Sequence, residues 1–341
     1  MTDLDIRRLD PRDEAAVKRV HAVMDLVDRH DTPENASVSE QRFARGLEHP
    51  PPGSESRFYY AEAGGEVVGY ISAYMPTADN RQYLEAELAV HPDRRERGIG
   101  SALLDYLLAF ANAEERTELI VTARIAWEGG AERSGTGARF LERRGLAAAL
   151  TEVDRRLTVA DLDAETEQRL WDEAAAASGD YDLVSWTGRA PEEYLEGLAR
   201  IDSRIFEEIP LGDVVLQPRT LDVERIRARD DRSELIRATP VRTIAVHRET
   251  GHIAAHTAIY TFAGETDADQ AITIVDPDHR GRRLGLGAKL ANLRLLRQAL
   301  PHVELVWAGN ADSNAQMVSI NDRLGYQVVD ALICYKRKQE A

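Results

Sequence analysis

Glu85 and Glu87 stand two residues apart in the apolar run Tyr83–Val90, and the chain then turns through His91-Pro92-Asp93-Arg94-Arg95-Glu96-Arg97-Gly98-Ile99-Gly100. Side chains two apart on a strand point to one face, so the pair offers two carboxylates to one side of a sheet, where either could take up a proton. The plainer reading is a solvated strand face. The turn mixes glycines, which let backbone N–H groups approach a ligand, with arginines, which add charge-assisted hydrogen bonds. Between a strand and a helix, such a turn holds an anion, above all a phosphate, at the helix N-terminus. A second turn of this kind lies about 187 residues further on. It reads Thr273-Ile274-Val275-Asp276-Pro277-Asp278-His279-Arg280-Gly281-Arg282-Arg283-Leu284-Gly285-Leu286-Gly287.

The elements around the two turns repeat as well. In the first half, strand patterns at 4–9, 57–63, 67–74, 83–90, 119–124 and 150–159 alternate with helical patterns at 13–29, 100–112 and 137–144. Gly64-Gly65 marks a hairpin. An acidic, alanine-rich stretch over 161–178 reads as a connecting helix. The order then restarts, with strands at 181–187, 243–247, 253–262, 270–275, 303–307 and 327–335. Its helices are a segment opening at Pro191, then 222–237, 284–300 and 313–324. A repeat of this length means two copies of one domain. The expected division is 1–160, a connecting helix over 161–178, and 179–341.

The chain has 341 residues, 43% hydrophobic and 30% charged, with a net charge of −16. That length suits two cores. The negative charge argues against nucleic acid or an anionic membrane as a partner, since both need a basic face. Positive charge gathers locally instead, at Arg94, Arg95 and Arg97 and again at Arg280, Arg282 and Arg283, which suits a small polyanion. No stretch is long and apolar enough to span a membrane, and the first residues carry no leader-like core, so a cytoplasmic location is expected. Cys334, the single cysteine, sits in an apolar run and reads as a buried strand residue rather than a nucleophile. His247, His252 and His256 lack a third ligand at suitable spacing, so no metal is expected.

Neither turn fits a dinucleotide fingerprint or a P-loop, because the three-glycine spacing and the Gly-Lys-Ser/Thr triplet are both missing. The spacing resembles the coenzyme A signature of the GCN5-related N-acetyltransferases: a valine-ended strand, proline, then Arg/Gln-x-x-Gly-x-Gly/Ala opening a helix. Val90, Pro92, Arg95, Gly98, Ile99 and Gly100 fall on that pattern. In the second copy Val275, Pro277, Arg280 and Gly281 align directly, with Arg283 in a glycine position. A two-residue shift matches Arg282-Arg283-Leu284-Gly285-Leu286-Gly287 instead, and both registers stay open. Asn310 to Tyr326 resembles the family's later motif, and His279 to Gly285 resembles a loop of bacterial tandem members.

The resemblance implies a mixed-sheet α/β fold, the acyl-CoA N-acyltransferase fold, in two tandem copies with acetyl-CoA as cofactor. It implies cofactor contacts at Leu88, Ala89, Val90, Arg95, Arg97, Gly98, Ile99, Gly100 and Ser101. In the second copy it implies them at Ile274, Val275, Arg280, Gly281, Arg282, Arg283, Leu284, Gly285, Gly287 and Asn314. Family members often place an acid on the strand before the loop, which makes Glu85 and Glu87 the candidate bases. The frequent general-acid tyrosine is replaced by Leu141 in the first copy and Asn321 in the second, and Ser134 stands for the later asparagine in the first. The expected reaction is acetyl transfer to the amine of a small molecule, with one active and one supporting copy, in a monomer or homodimer. A non-catalytic acyl-CoA-binding sensor or scaffold, and an acetyltransferase resembling the mycothiol synthases, are the other readings.

Overall fold

The computed structural model describes residues 4–35 and 37–337. The first half runs β1 (Leu4–Arg8), α1 (Glu14–Asp31), α2 (Glu40–Glu48), β2 (Ser54–Ala63), β3 (Glu66–Pro76), β4 (Tyr83–Val90), α3 (Ile99–Ala113), β5 (Glu118–Ile125), α4 (Thr136–Arg143) and β6 (Leu146–Thr158). The connecting helix is α5 (Ala164–Ala177). The second half runs β7 (Tyr181–Thr187), α6 (Leu195–Ser203), α7 (Ile205–Glu208), α8 (Val223–Leu235), β8 (Ala238–His247), β9 (Ile253–Phe262), β10 (Asp267–Val275), α9 (Leu284–Ala299), β11 (Leu305–Ala311), α10 (Ala315–Arg323) and β12 (Gln327–Arg337).

Local chemistry sets most of these boundaries. Asp13 caps α1 by accepting from the Ala16 N–H, and the valines at 17, 20, 23 and 27 form its buried stripe. Gly64 and Gly65, both at positive φ, close the β2–β3 hairpin as a two-residue turn demands. Helix α2, capped by Ser39, has no counterpart in the sequence reading because its apolar face is short, resting on Phe43, Ala44 and Leu47 within nine residues.

All twelve strands form one sheet in the order β1-β2-β3-β4-β5-β12-β6-β11-β10-β9-β8-β7. The last strand of each copy has changed sides. β12 pairs antiparallel with β5 of the first copy, and β6 pairs antiparallel with β11 of the second. The exchanged strands carry core residues with them. Ile333 and Tyr335 of β12 pack among Leu103, Leu104 and Leu107 of α3, while Leu157 of β6 packs with Leu286, Leu290 and Leu293 of α9. The copies that are contiguous in sequence therefore do not close as separate sheets.

Helices α3 and α4 cover one face of the first half, and α5, α9 and α10 lie on the corresponding side of the second. On the opposite face α1 and α2 pack over β2 and β3, and α6 packs on β8–β10. There the copies reach across each other. Arg42 of α2 pairs with Glu265 and Asp269 at 2.8 and 2.9 Å, and Arg225 of α8 pairs with Asp79 at 2.5 Å. No helix among the described residues is long and apolar enough to cross a membrane.

Candidate active site

The first glycine turn leaves a helix N-terminus open. After β4 ends at Val90, a 3-10 turn over Pro92–Arg94 leads to Glu96 and Gly98, both at positive φ (61° and 84°), and α3 begins at Ile99. No side chain caps α3, and a Cβ placed on Gly98 would meet no protein atom within 4 Å. The free N–H groups of the first helical turn thus face an open concavity suited to an anion. Gly100 lies beside Val90 and Phe140, whose side-chain atoms would be in ordinary contact with a Cβ there, at 3.7 and 3.9 Å.

The arginines divide the labour unevenly. Arg95 was expected to hold the cofactor, but its guanidinium donates to Asp31 at 2.8 and 2.6 Å and to the Val90 carbonyl at 3.1 Å. It braces the turn against α1 rather than reaching the concavity. Against the cost of burial, Arg95 and His30 hold Asp31 below its ordinary pKa. Arg97 is exposed and makes no ion pair among the described residues, which leaves it free to meet a phosphate.

Beside this turn the sheet opens. β4 and β5 pair in parallel only from Tyr83–Ala86 to Glu118–Val121, although β4 continues to Val90 and β5 to Ile125. Leu88, Ala89 and Val90 therefore edge a wedge in which main-chain groups have no partner strand on the β5 side. An extended ligand arm fits such a wedge and can be held by backbone hydrogen bonds.

Glu85 and Glu87 lie on the β4 face opposite α3, as the period of two requires. Tyr83, on the same face, donates its hydroxyl to Glu85 at 2.8 Å. Glu87 is exposed to solvent, yet the surrounding elements crowd it. Desolvation there raises its pKa above the ordinary carboxylate value; Arg124 opposes the shift, and Asp28 and Glu85 add to it. Arg124 in turn donates to Asp154 and Asp330, each at 2.6 Å. Arg133 holds the other Asp330 oxygen at 2.7 Å and Glu34 at 2.9 Å. Glu152 is pushed up to about 7 by burial and by its neighbours Glu85 and Asp154.

Sequence reasoning missed Arg124, Glu152, Asp154 and Asp330. They come from three strands, two of them exchanged, and nothing local marks them. Cys334 is buried and its thiol is pushed up to about 12, again by burial first, so it is no thiolate nucleophile at neutral pH.

The second turn is built differently. Val275, Pro277, Arg280, Arg283, Leu284 and Gly285 occupy the places of Val90, Pro92, Arg95, Gly98, Ile99 and Gly100, so counterparts are 185 residues apart and the unshifted register is the right one. Arg283 takes the left-handed conformation (φ 55°) that Gly98 takes in the first copy, and its guanidinium pairs with Glu173 of α5 at 3.0 Å. Arg280 pairs with Glu208. Gly287, expected at the cofactor, instead packs against α5 and β7: a Cβ there would lie 3.5 Å from both Ala174 and Leu183. Residues 284–290 are all buried, so the N-terminus of α9 is covered where that of α3 is open.

The remaining polar residues of the second copy are engaged in structure. Asn314, expected on the cofactor, caps α10 by accepting from the Met317 N–H at 3.2 Å. Asn321, in the tyrosine position, accepts from buried Lys289 at 2.7 Å. Leu141, its first-copy counterpart, is buried core. Gln270 donates to Ala258 and Ile272 carbonyls around a bulge in β10. Asp269 holds Arg42, and Asp267 accepts from Trp307. His256 is fully buried against Asp202 at 2.7 Å, and His252 pairs with Asp276 at 3.0 Å.

The profile of the acetyltransferase (GNAT) family matches residues 22–126, within the first copy. A mycothiol acetyltransferase of Saccharomonospora viridis is 29% identical over 282 residues, 80% of each chain. One from Saccharopolyspora erythraea is 42% identical over 103 residues, 29% of this chain and 32% of that one. Among solved structures, a tandem GNAT protein from the clavulanic acid biosynthesis pathway superposes with a TM-score of 0.81 at 24% identity, covering 99% of this chain and 100% of its own. A GCN5-related N-acetyltransferase from Sphaerobacter thermophilus gives 0.66 at 18% identity, covering 98% and 95%. With the open glycine turn, the splayed strands and two copies of the fold in one sheet, residues 22–126 match the acetyltransferase (GNAT) family and the chain as a whole has the fold of a tandem GNAT protein.

Proposed function

We propose that the first copy binds acetyl-CoA and transfers its acetyl group to the amine of a small molecule, with the second copy in a supporting role. The sequence copies 1–160 and 179–341, joined through 161–178, are on this reading unequal functional units. The observation that carries it is a contrast in burial: both helix N-termini lack a side-chain cap and both lie beside strands that splay, but the start of α3 is partly open to solvent, whereas residues 284–290 of α9 are buried, with α5 packed against them.

In this reading the N–H groups of Gly98, Ile99, Gly100 and Ser101, with Arg97, hold the pyrophosphate. Leu88, Ala89 and Val90 align the pantetheine arm in the wedge, and a backbone N–H near Val90 faces the carbonyl oxygen as charge develops on it. When bound, acetyl-CoA supplies the acyl group and a thiolate leaving group. An alkylamine of pKa about 10.4 must shed a proton to attack, and Glu87, directly or through a water, is the acceptor placed to take it. Its raised pKa brings it nearer the working pH, which suits a general base. The carboxylates around Glu87 favour an acceptor that carries positive charge before it reacts. Relatives named for mycothiol make a mycothiol-type acceptor the first candidate.

Calorimetric titration of acetyl-CoA into the wild type, Gly98→Trp and Gly285→Trp tests the assignment. Binding lost in Gly98→Trp and kept in Gly285→Trp is the expected result; the reverse would transfer the site to the second copy. Thiol release across a panel of primary amines then separates an enzyme from a sensor, since a sensor binds the cofactor without turnover.

A further inference from the structure

We propose that the second copy builds the acceptor side of the first copy's site: the segment Leu211–Gln217 and Asp330 of β12 are positioning elements for Glu85 and Glu87. This rests on the reading above, in which the first copy is the catalytic one.

The segment between α7 and α8 leaves the second copy and crosses to the first. Val215 donates its N–H to Glu118 at 3.0 Å, and Gln217 donates to the Asn80 side chain at 2.6 Å, whose amide donates back to the Gln217 carbonyl at 3.0 Å. Asp213 donates to the Ala149 carbonyl at 2.8 Å, and its own carbonyl accepts from Lys336 at 2.5 Å. At Gly212 the two backbones touch: a Cβ would lie 2.2 Å from the Ala149 oxygen, so only glycine fits. A strap fastened at this many points is held in register rather than draped.

The strap's apolar residue lands on the face that carries the candidate bases. Val214 is buried in a small cluster with Tyr83, Ile120, Ala149 and Cys334, flanked by Leu216. Tyr83 is the residue whose hydroxyl donates to Glu85. Val214 thus excludes water from the ring of Tyr83, and Tyr83 fixes the Glu85 carboxylate. The contact chain runs from the second copy to a candidate base in two steps.

A second route enters through the exchanged strand. Asp330 is fully buried and divides its oxygens between Arg124 and Arg133. Arg124 is the cation that acts on Glu87. Glu87 is faced by Asp28 from α1, Tyr70 from β3, Glu85 from its own strand and Arg124 from β5, with Asp154 and Asp330 behind the guanidinium. Asp330 both holds Arg124 in place and offsets its charge. Neither route needs the second copy to bind a cofactor, which fits its covered α9 terminus.

Val214→Ala and Asp330→Asn in the full chain test the proposal, with acetyl-CoA affinity, amine kcat and KM, and the pH profile of kcat/KM as readouts. Val214→Ala is expected to lower amine kcat/KM by roughly ten- to a hundred-fold through misplacement of the Tyr83–Glu85 pair, while acetyl-CoA affinity stays the same. Asp330→Asn removes one counter-charge from Arg124, so the guanidinium acts more strongly on Glu87 and the acid limb of the profile moves to lower pH. A merely structural Asp330 would lower the whole profile without moving the limb. If Asp330→Asn does not fold, Tyr83→Phe with Val214→Ala carries the test, the two being expected to act as one unit. Folded variants with wild-type amine kinetics and an unmoved limb overturn the proposal. Failure of the underlying reading looks different: the wild type then shows no acetyl-CoA binding or no amine turnover.

Discussion

Glu87 is the side chain on which the proposed chemistry turns. It is exposed to solvent but crowded by its neighbours, among carboxylates that oppose its ionisation and one guanidinium that favours it. A base works only when ionised, so kcat/KM should fall as pH drops through its raised pKa. Glu87→Gln is expected to lower kcat/KM by about 10²–10⁴ and to abolish that ascending limb, read by thiol release across pH. A variant that keeps the limb would move the role to Glu85 or Glu152. Glu85 and Glu87 could be read from the sequence because a strand's period of two is local. Arg95 and Asn314 show the limit of such reading. An arginine that braces a turn on Asp31 and an asparagine that caps a helix carry the same letters as ligand-binding ones. Only the partner decides the role.

At the scale of elements, two turns of like sequence have opposite environments. α3 begins in the open, whereas α9 begins beneath α5, with Gly287 at the contact between them. Gly287→Leu should wedge them apart and cost about 1–3 kcal/mol, measured by urea unfolding, without changing acetyl-CoA affinity. A loss of affinity without loss of stability would return Gly287 to the cofactor. The two-residue ambiguity of the second loop had a physical source: Gly285 and Gly287 mimic the Gly-x-Gly spacing, yet Arg283 holds the left-handed position that glycine holds in the first copy. A sequence pattern rewards glycine there, but an arginine whose side chain is held by Glu173 adopts the same backbone. Helix α2 escaped notice for another reason, since its apolar face of Phe43, Ala44 and Leu47 spans barely one turn and sets up no repeat to detect.

The molecule as a whole is one twelve-stranded sheet in which each copy lends its last strand to the other. Residues 1–178 alone would leave β5 without β12 and β6 without β11, exposing two edges. That fragment is expected to aggregate or to dimerise by strand exchange; size-exclusion chromatography checks this, and a folded monomer would argue against a shared sheet in solution. The sequence by itself determined the duplication, the order of strands and helices, the glycine turns and the carboxylate pair, because each is written in spacings of a few residues. Tertiary structure alone decided which partner β6 and β12 take. In a duplicated fold, a strand's own copy and its sister offer nearly the same edge, so local pattern cannot choose between them. That choice brings Asp330 to Arg124, and the fold's crossing strap brings Val214 to Tyr83. The same level of structure leaves one of two similar turns open and covers the other.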